Sequence, residues 1–192
     1  MAHVNAGSAK VGELIHRLDA AVAAADAESR CQNVKNVLID VVKSGEEFIL
    51  APFLQPAPNR YARRLLHRDP SGRYTIVVMV WDRGQGTPLH DHSGMWCVEC
   101  VYRGRIRVTS FSALSDPEAA TVAFEKESVV VAGVGEAGAL IPPFEYHMIE
   151  NPDPTPAVTI HVYGGDMVSC HAFVPEAKGR YRREIRELTY TG

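Results

Sequence analysis

The sequence predicts a mainly β fold, a jelly-roll-like barrel with helices at its N-terminus. Three features carry that reading. From Tyr61 onward, short runs of β-branched and aromatic residues recur, bounded by Gly, Pro and Asp. Ahead of them, apolar residues repeat at the three-and-four spacing of an amphipathic helix. A proline-rich passage separates the two textures.

Val11, Leu14, Ile15, Leu18 and Val22 define the first helical stripe, and alanines of high helix propensity dominate 20–27. Val34, Val37, Leu38, Val41 and Val42 define a second stripe, which ends near Ser44-Gly45. Residues 51–59, with Pro52, Pro56 and Pro58, read as an irregular connection. Strands follow at 62–67, 74–81, 95–102, 106–111, 128–132, 139–141, 147–150, 158–163 and 171–174, with a polar pair of strands near 182–190. No internal repeat or low-complexity segment interrupts the chain. The reading is one domain over 1–192, with a helical cap and connection at 1–58 and a barrel at 59–192.

Composition narrows the function classes. The 192 residues are 46% hydrophobic and 22% charged, ordinary for a globular protein, and a net charge of -3 offers no attraction to nucleic acid or an acidic membrane. No apolar run approaches the roughly 20 residues that span a bilayer. Residues 1–10 lack the apolar centre of a signal peptide, so a cytoplasmic location is expected. Cys31, Cys97, Cys100 and Cys170 are too few and scattered for a disulfide framework and are read as free thiols. The lone Cys97-Val98-Glu99-Cys100 spacing is weak as a metal or redox motif. Small molecules are the expected partners, with a monomer or weak homo-oligomer as the assembly.

Three of the eight histidines stand out. His90 and His92 are two apart, so in an extended chain both imidazoles can face one cavity. Alone, such a pair is often surface polarity on a loop. Its surroundings say otherwise: Gly84-x5-His90-x-His92-x4-Cys97-x6-Gly104 resembles the first motif of the cupins, and Pro142-x-Phe144-x2-His147-x3-Asn151 resembles their second. Cupins are β-barrels that hold a metal inside the barrel mouth, so this resemblance implies that His90, His92 and His147 are its ligands. Cys97 stands where most cupins carry a glutamate ligand. Three neutral histidines leave the metal a stronger attractor of an anionic ligand such as a thiolate.

A closer resemblance covers about residues 61–173. His90-Asp91-His92-Ser93-Gly94-Met95-Trp96-Cys97, Thr159-Ile160-His161-Val162-Tyr163, Ser169-Cys170-His171-Ala172-Phe173 and Tyr61-Ala62-Arg63-Arg64-Leu65 are similar to segments of cysteine dioxygenase and related thiol dioxygenases. The resemblance implies iron(II) on His90, His92 and His147, with a small thiol and O2 as reactants and a sulfinate as product. It implies that Arg63 binds the substrate carboxylate with Tyr61 nearby. Tyr163 would sit beside the metal, able to form a thioether with Cys97, and His161 would bond Tyr163 while Thr159 orients it. Relatives that prefer 3-mercaptopropionate have glutamine in place of Arg63, so the arginine points toward cysteine. Dioxygenation of 3-mercaptopropionate or mercaptosuccinate, and a non-catalytic metal-binding sensor, are the rival readings.

Alternation supports part of this independently. On a strand, Thr159, His161 and Tyr163 share one face, which places a hydroxyl, an imidazole and a phenol in line. Solvent-facing polarity on an edge strand would give the same pattern. Arg64 rivals Arg63 as the inward arginine, since strand neighbours face opposite sides. Glu99 would share the inward face with Cys97. A buried unpaired carboxylate is costly, so a cationic partner or an outward-turning bulge is expected there. Gly164-Gly165 stands where animal relatives have Ser-Pro. His3, His16 and His67 are read as structural, and His171 as lying near the cavity entrance. The arginines at 180, 182, 183 and 186 read as a solvated face.

Overall fold

The computed structural model describes residues 9–143 and 145–192; His3 and Phe144 lie outside the described residues. Two helices open it, α1 (Ala9–Ala21) and α2 (Ala27–Lys43). The alanine-rich stretch between them is not helical throughout, despite its propensity. Asp26 takes an extended backbone and accepts a hydrogen bond from Ser29 N at 2.7 Å, which starts α2 afresh. No described helix is long and apolar enough to cross a membrane.

Eleven strands follow among the described residues: β1 (Ala62–Arg68), β2 (Thr75–Trp81), β3 (Leu89–His90), β4 (Cys97–Arg103), β5 (Ile106–Ala113), β6 (Thr121–Ala132), β7 (Ala137–Leu140), β8 (Tyr146–Glu150), β9 (Ala157–Tyr163), β10 (Ser169–Pro175) and β11 (Arg180–Glu187). They form a five-stranded sheet in the order β1-β2-β9-β4-β7 and a closed ring β10-β11-β6-β5-β8-β3, in which β3 pairs back to β10. This mainly β cupin barrel with two N-terminal helices is the predicted fold class. Two details differ from expectation. The polar tail forms one strand, β11, paired with β10, rather than a pair. The strand expected at 128–132 begins at Thr121, because polar Glu125, Lys126 and Glu127 continue the ladder with β5 across a bulge.

The five-stranded sheet is buried on both faces. Ile76, Val78, Val80, Val98, Cys100, Tyr102, Val158, Ile160 and Val162 pack beneath Leu14, Leu18, Val34 and Leu38 of the helices. Their alternates, Val77, Met79, Trp81, Cys97, Val101 and Tyr163, face the barrel interior. Thus the amphipathic helices turn one side of the sheet into a core and leave the other to line a cavity. Cys97 and Cys100 fall on opposite faces, so their CxxC spacing joins nothing, and all four cysteines are free and buried.

Candidate metal centre

The strand pairing brings distant histidines together. His90 on the two-residue strand β3 lies directly opposite His147 on β8. His92 follows just past the strand end, where Ser93 takes a left-handed φ of 52° and Met95 N donates to His92 O at 3.0 Å. Asp91 locks this turn: its Oδ1 accepts from Ser93 N and His171 N, and its Oδ2 meets His171 Nδ1 at 2.8 Å. His171 is therefore the partner of Asp91 rather than a lining group of the cavity entrance.

The ligand atoms of His90, His92 and His147 all lie within 4.8 Å of one another. Burial, the largest cause at each, lowers the pKa of all three, and for His92 and His147 neighbouring imidazoles lower it further. The rings are thus neutral with lone pairs free, the form that binds metal. His90 Nδ1 lies 3.1 Å from Pro88 O, which makes it the donor and leaves Nε2 as ligand. Neither ring nitrogen of His147 has a hydrogen-bond partner although the ring is fully buried. Such orphaned, converging acceptors fit a cation and little else. No acidic group joins the three-histidine cluster among the described residues.

Four of the remaining predicted residues, Tyr61, Arg63, His161 and Tyr163, line a cavity of about 250 Å³ that these histidines floor, with Met79, Trp81, Met167 and Cys170; Cys97 and Thr159 do not line it, and Thr159 lines a second cavity of about 610 Å³. Arg63 turns inward. Its Nη2 donates to Met167 O at 2.7 Å, its guanidinium lies 4.6 Å from the Tyr190 ring centre, and buried Nη1 has no partner. Arg64 turns the other way and reaches Phe53 O at 3.4 Å. That resolves the choice of inward arginine. Tyr61 stacks on Trp81 with ring centres 4.6 Å apart.

β9 is the central strand, not an edge, and every residue in it is buried. Trp81 Nε1 donates to Thr159 Oγ1 at 2.9 Å, Thr159 Oγ1 lies 2.8 Å from His161 Nε2, and His161 Nδ1 lies 3.4 Å from Tyr163 Oη. Burial, more than the nearby Arg63, pushes the His161 pKa down to about 3, and burial first of all holds Tyr163 well above the ordinary phenol range. Both stay neutral. Cys97 and Tyr163 are cross-strand partners in the β4–β9 ladder.

Glu99 corrects the expectation drawn from its sequence position. The β4–β9 register runs unbroken from Cys97 to Val101, so no bulge turns Glu99 outward. Among the described residues no Lys or Arg pairs with it; it is 9% exposed, with Oε2 3.6 Å from His161 Nδ1 and Oε1 3.9 Å from His147 Nδ1. Burial raises its pKa to about 8. Gly164 also gains a reason: a Cβ there would meet the indole of Trp96 at 2.3 Å, so the turn after Tyr163 needs glycine.

Several functional positions escape sequence reasoning. Trp81 starts the hydrogen-bond chain, and its signal was only a strand-end aromatic. Glu145, buried 4.0 Å from His92 Nδ1, lies inside the second motif but is not one of its pattern residues. Leu188, Thr189 and Thr191 line the cavity from the C-terminal tail, held by Thr191 N donating to Arg63 O at 2.7 Å. No local pattern announces such a tail.

The chain is 28% identical over 115 residues to human cysteine dioxygenase type 1, covering 59% of this chain and 56% of that protein. The zebrafish (Danio rerio) protein of the same name is 25% identical over the same length. This chain thus spans about half the length of the curated relatives it matches. A Klebsiella pneumoniae protein with a double-stranded beta-helix domain is similar at a TM-score of 0.48 and 17% identity, over 64% of this chain and 94% of that one. The family model for cysteine dioxygenase type I matches residues 3–176, helices and barrel together, and the chain belongs to that family.

Proposed function

We propose that this chain is an iron(II)-dependent thiol dioxygenase that converts cysteine and O2 to cysteine sulfinate, both oxygen atoms ending on sulfur. The observation that carries this reading is the pairing of two orphans in one small cavity. Three neutral imidazoles converge there, and an unpartnered Arg63 Nη1 faces the same space. At about 250 Å³, the cavity falls below the roughly 300–1,000 Å³ of sites for drug-sized ligands, as suits an amino acid.

His90, His92 and His147 would hold the ion. Ferrous iron there would supply the electron transfer that lets ground-state dioxygen react with a thiolate. Arg63 Nη1 binds the substrate carboxylate, a charge-assisted hydrogen bond in a water-poor site, and Met167 O with the Tyr190 ring holds the guanidinium in place. Tyr61 and Trp81 wall the cavity with stacked rings and exclude water. One proton pattern satisfies every contact of the relay. Trp81 donates to Thr159 Oγ1, Thr159 donates to His161 Nε2, and His161 Nδ1–H faces Tyr163 Oη. The Tyr163 hydroxyl proton then points into the cavity, where it can donate to a developing oxyanion.

Cys97 opposite Tyr163 supports a thioether between Sγ and the phenol ring. Forming it exchanges one S–H and one ring C–H for an S–C bond, with two electrons and two protons passing to dioxygen. A mass lower by two hydrogens, absent in Cys97→Ser, would identify it.

The test is oxygen uptake by the iron-loaded chain across small thiols, with product identification. Cysteine is expected to give the highest kcat/KM and its sulfinate. Preference for 3-mercaptopropionate or mercaptosuccinate would move the substrate assignment, and no uptake with any thiol would overturn the enzyme reading. The cytoplasm, where thiols stay reduced, is the setting this chemistry suits.

A further inference from the structure

We infer that Glu99 and Glu145 are positioning residues of the metal centre: buried acidic side chains that stand behind His147 and His92 and hold those imidazoles in line. The inference rests on the metal-binding reading above. Its basis is that every ligand imidazole has an acceptor behind its Nδ1. For His90 this is Pro88 O at 3.1 Å; for His92 it is Glu145 Oε2 at 4.0 Å; for His147 it is Glu99 Oε1 at 3.9 Å.

The last two pairings are open in this structure; both facing atoms of the His92 and Glu145 pair are unsatisfied, while in the His147 and Glu99 pair the ring nitrogen is, and the carboxyl oxygen without a partner is the one nearer His161. His92 Nδ1, His147 Nδ1, Glu99 Oε2 and Glu145 Oε2 are buried without a hydrogen-bond partner. Closure by roughly 1 Å would bring each ring nitrogen within the about 2.7–3.2 Å of a hydrogen bond. For His147 only one arrangement satisfies the ring: Nδ1–H toward Glu99, and the Nε2 lone pair toward a cation. Ligating histidines commonly donate their other N–H to a carboxylate or carbonyl, which fixes the tautomer and strengthens the ligand.

Neither glutamate touches the substrate cavity. Glu99 lines a separate, larger cavity of about 610 Å³ on the far side of His147, walled by Val101, Ile106, Val108 and Leu140, and Glu145 lines neither. Their effect must therefore pass through the histidines. His161 shares it, since Glu99 Oε2 lies 3.6 Å from its Nδ1, beside the Tyr163 hydroxyl.

The experiment measures iron(II) affinity by chelator competition, metal-free melting temperature, and kcat and KM, for the unsubstituted chain and for Glu99→Leu, Glu99→Gln, Glu145→Leu and Glu145→Gln. Each leucine variant is expected to weaken iron binding by about 10–100-fold, the range for groups behind metal ligands, with the glutamine variants between. Metal-free melting temperature should hold or rise, because a buried polar group with an unmet hydrogen-bonding atom is removed. KM should change less than about 2-fold while kcat falls, since no substrate contact is lost. Unchanged iron affinity in the leucine variants, or loss that merely tracks a falling metal-free melting temperature, would overturn the role. Failure of the unsubstituted chain to hold iron would instead sink the dioxygenase reading, so the two failures are distinct.

Discussion

The two faces of the five-stranded sheet share strands, register and burial, yet they do different work. On β9, Val158, Ile160 and Val162 press against the helices while Thr159, His161 and Tyr163 face the barrel interior, and all are buried. The aliphatic face needs only shape. The polar face needs a named partner for each donor and acceptor, and Thr159 and His161 have theirs. Among the described residues, the buried side-chain polar atoms that lack a partner are, Arg183 Nε apart, those of Arg63, His92, His147, Glu99 and Glu145. The comparison teaches that burial does not mark a site; unmet hydrogen-bonding demand does.

Removing a ligand from the cavity face should break the comparison most completely. His147→Ala is expected to lower iron(II) affinity by more than about 100-fold, beyond the range for groups behind ligands, and to abolish oxygen uptake. Metal analysis after dialysis checks it. Next comes the pair of neighbouring arginines on β1, which face opposite sides. Arg63→Ala should lower kcat/KM for cysteine by about 100-fold, roughly 2.7 kcal/mol of transition-state binding, mainly through KM. Arg64→Ala should leave kcat/KM within about 2-fold, because its guanidinium meets only Phe53 O on the helical side. Equal losses in steady-state kinetics would refute the clamp.

How legible each face was follows from the same physics. The aliphatic stripes of Val11–Val22 and Val34–Val42 announce helices that must cover something, and the strand alternation announces what they cover. The three clustered histidines were legible because His-x-His and the distant His147 each sit in a motif with fixed glycine and proline neighbours. Alternation only says that Arg63 and Arg64 differ; the resemblance chose Arg63, and the structure turns it inward, beside Met167 O and the tail at Thr191. Glu99 misled for a related reason. Energy rules say that a buried carboxylate finds a cation, and among the described residues no Lys or Arg pairs with it. Glu145 and the C-terminal lining depend on contacts between segments far apart in sequence, which no local spacing encodes.

A subtler change sharpens the contrast within the cavity face itself. Thr159→Val keeps the side chain's shape but deletes the hydroxyl that accepts from Trp81 and meets His161. Both polar partners stay buried, so their demand goes unmet. The ring of His161 is then free to take the other tautomer, and Tyr163 loses its fixed proton direction. Turnover should fall about 10-fold, the equivalent of one hydrogen bond of roughly 1.4 kcal/mol, with KM nearly unchanged. Thr159→Ser, which restores the hydroxyl, should recover most of it. A proportional rise in KM in stopped or continuous oxygen-electrode assays would show instead that Thr159 shapes the substrate cavity.

The smallest effect on turnover belongs to the neighbouring residue on the other face. Ile160 is fully buried among the helices' side chains, one position from Thr159 and His161. Truncating it to alanine removes apolar contacts and leaves a void, which costs about 2–5 kcal/mol in a core of this kind. No hydrogen bond of the relay runs through its side chain, so iron affinity, KM and kcat of the remaining folded protein should stay within about 2-fold. Denaturant unfolding of the metal-free chain measures the first quantity and oxygen uptake at low temperature the second. Were Ile160→Ala to lower kcat as Thr159→Val does, the faces would be mechanically coupled, and the helices would then serve to hold the relay in register as well as to bury one side of the sheet.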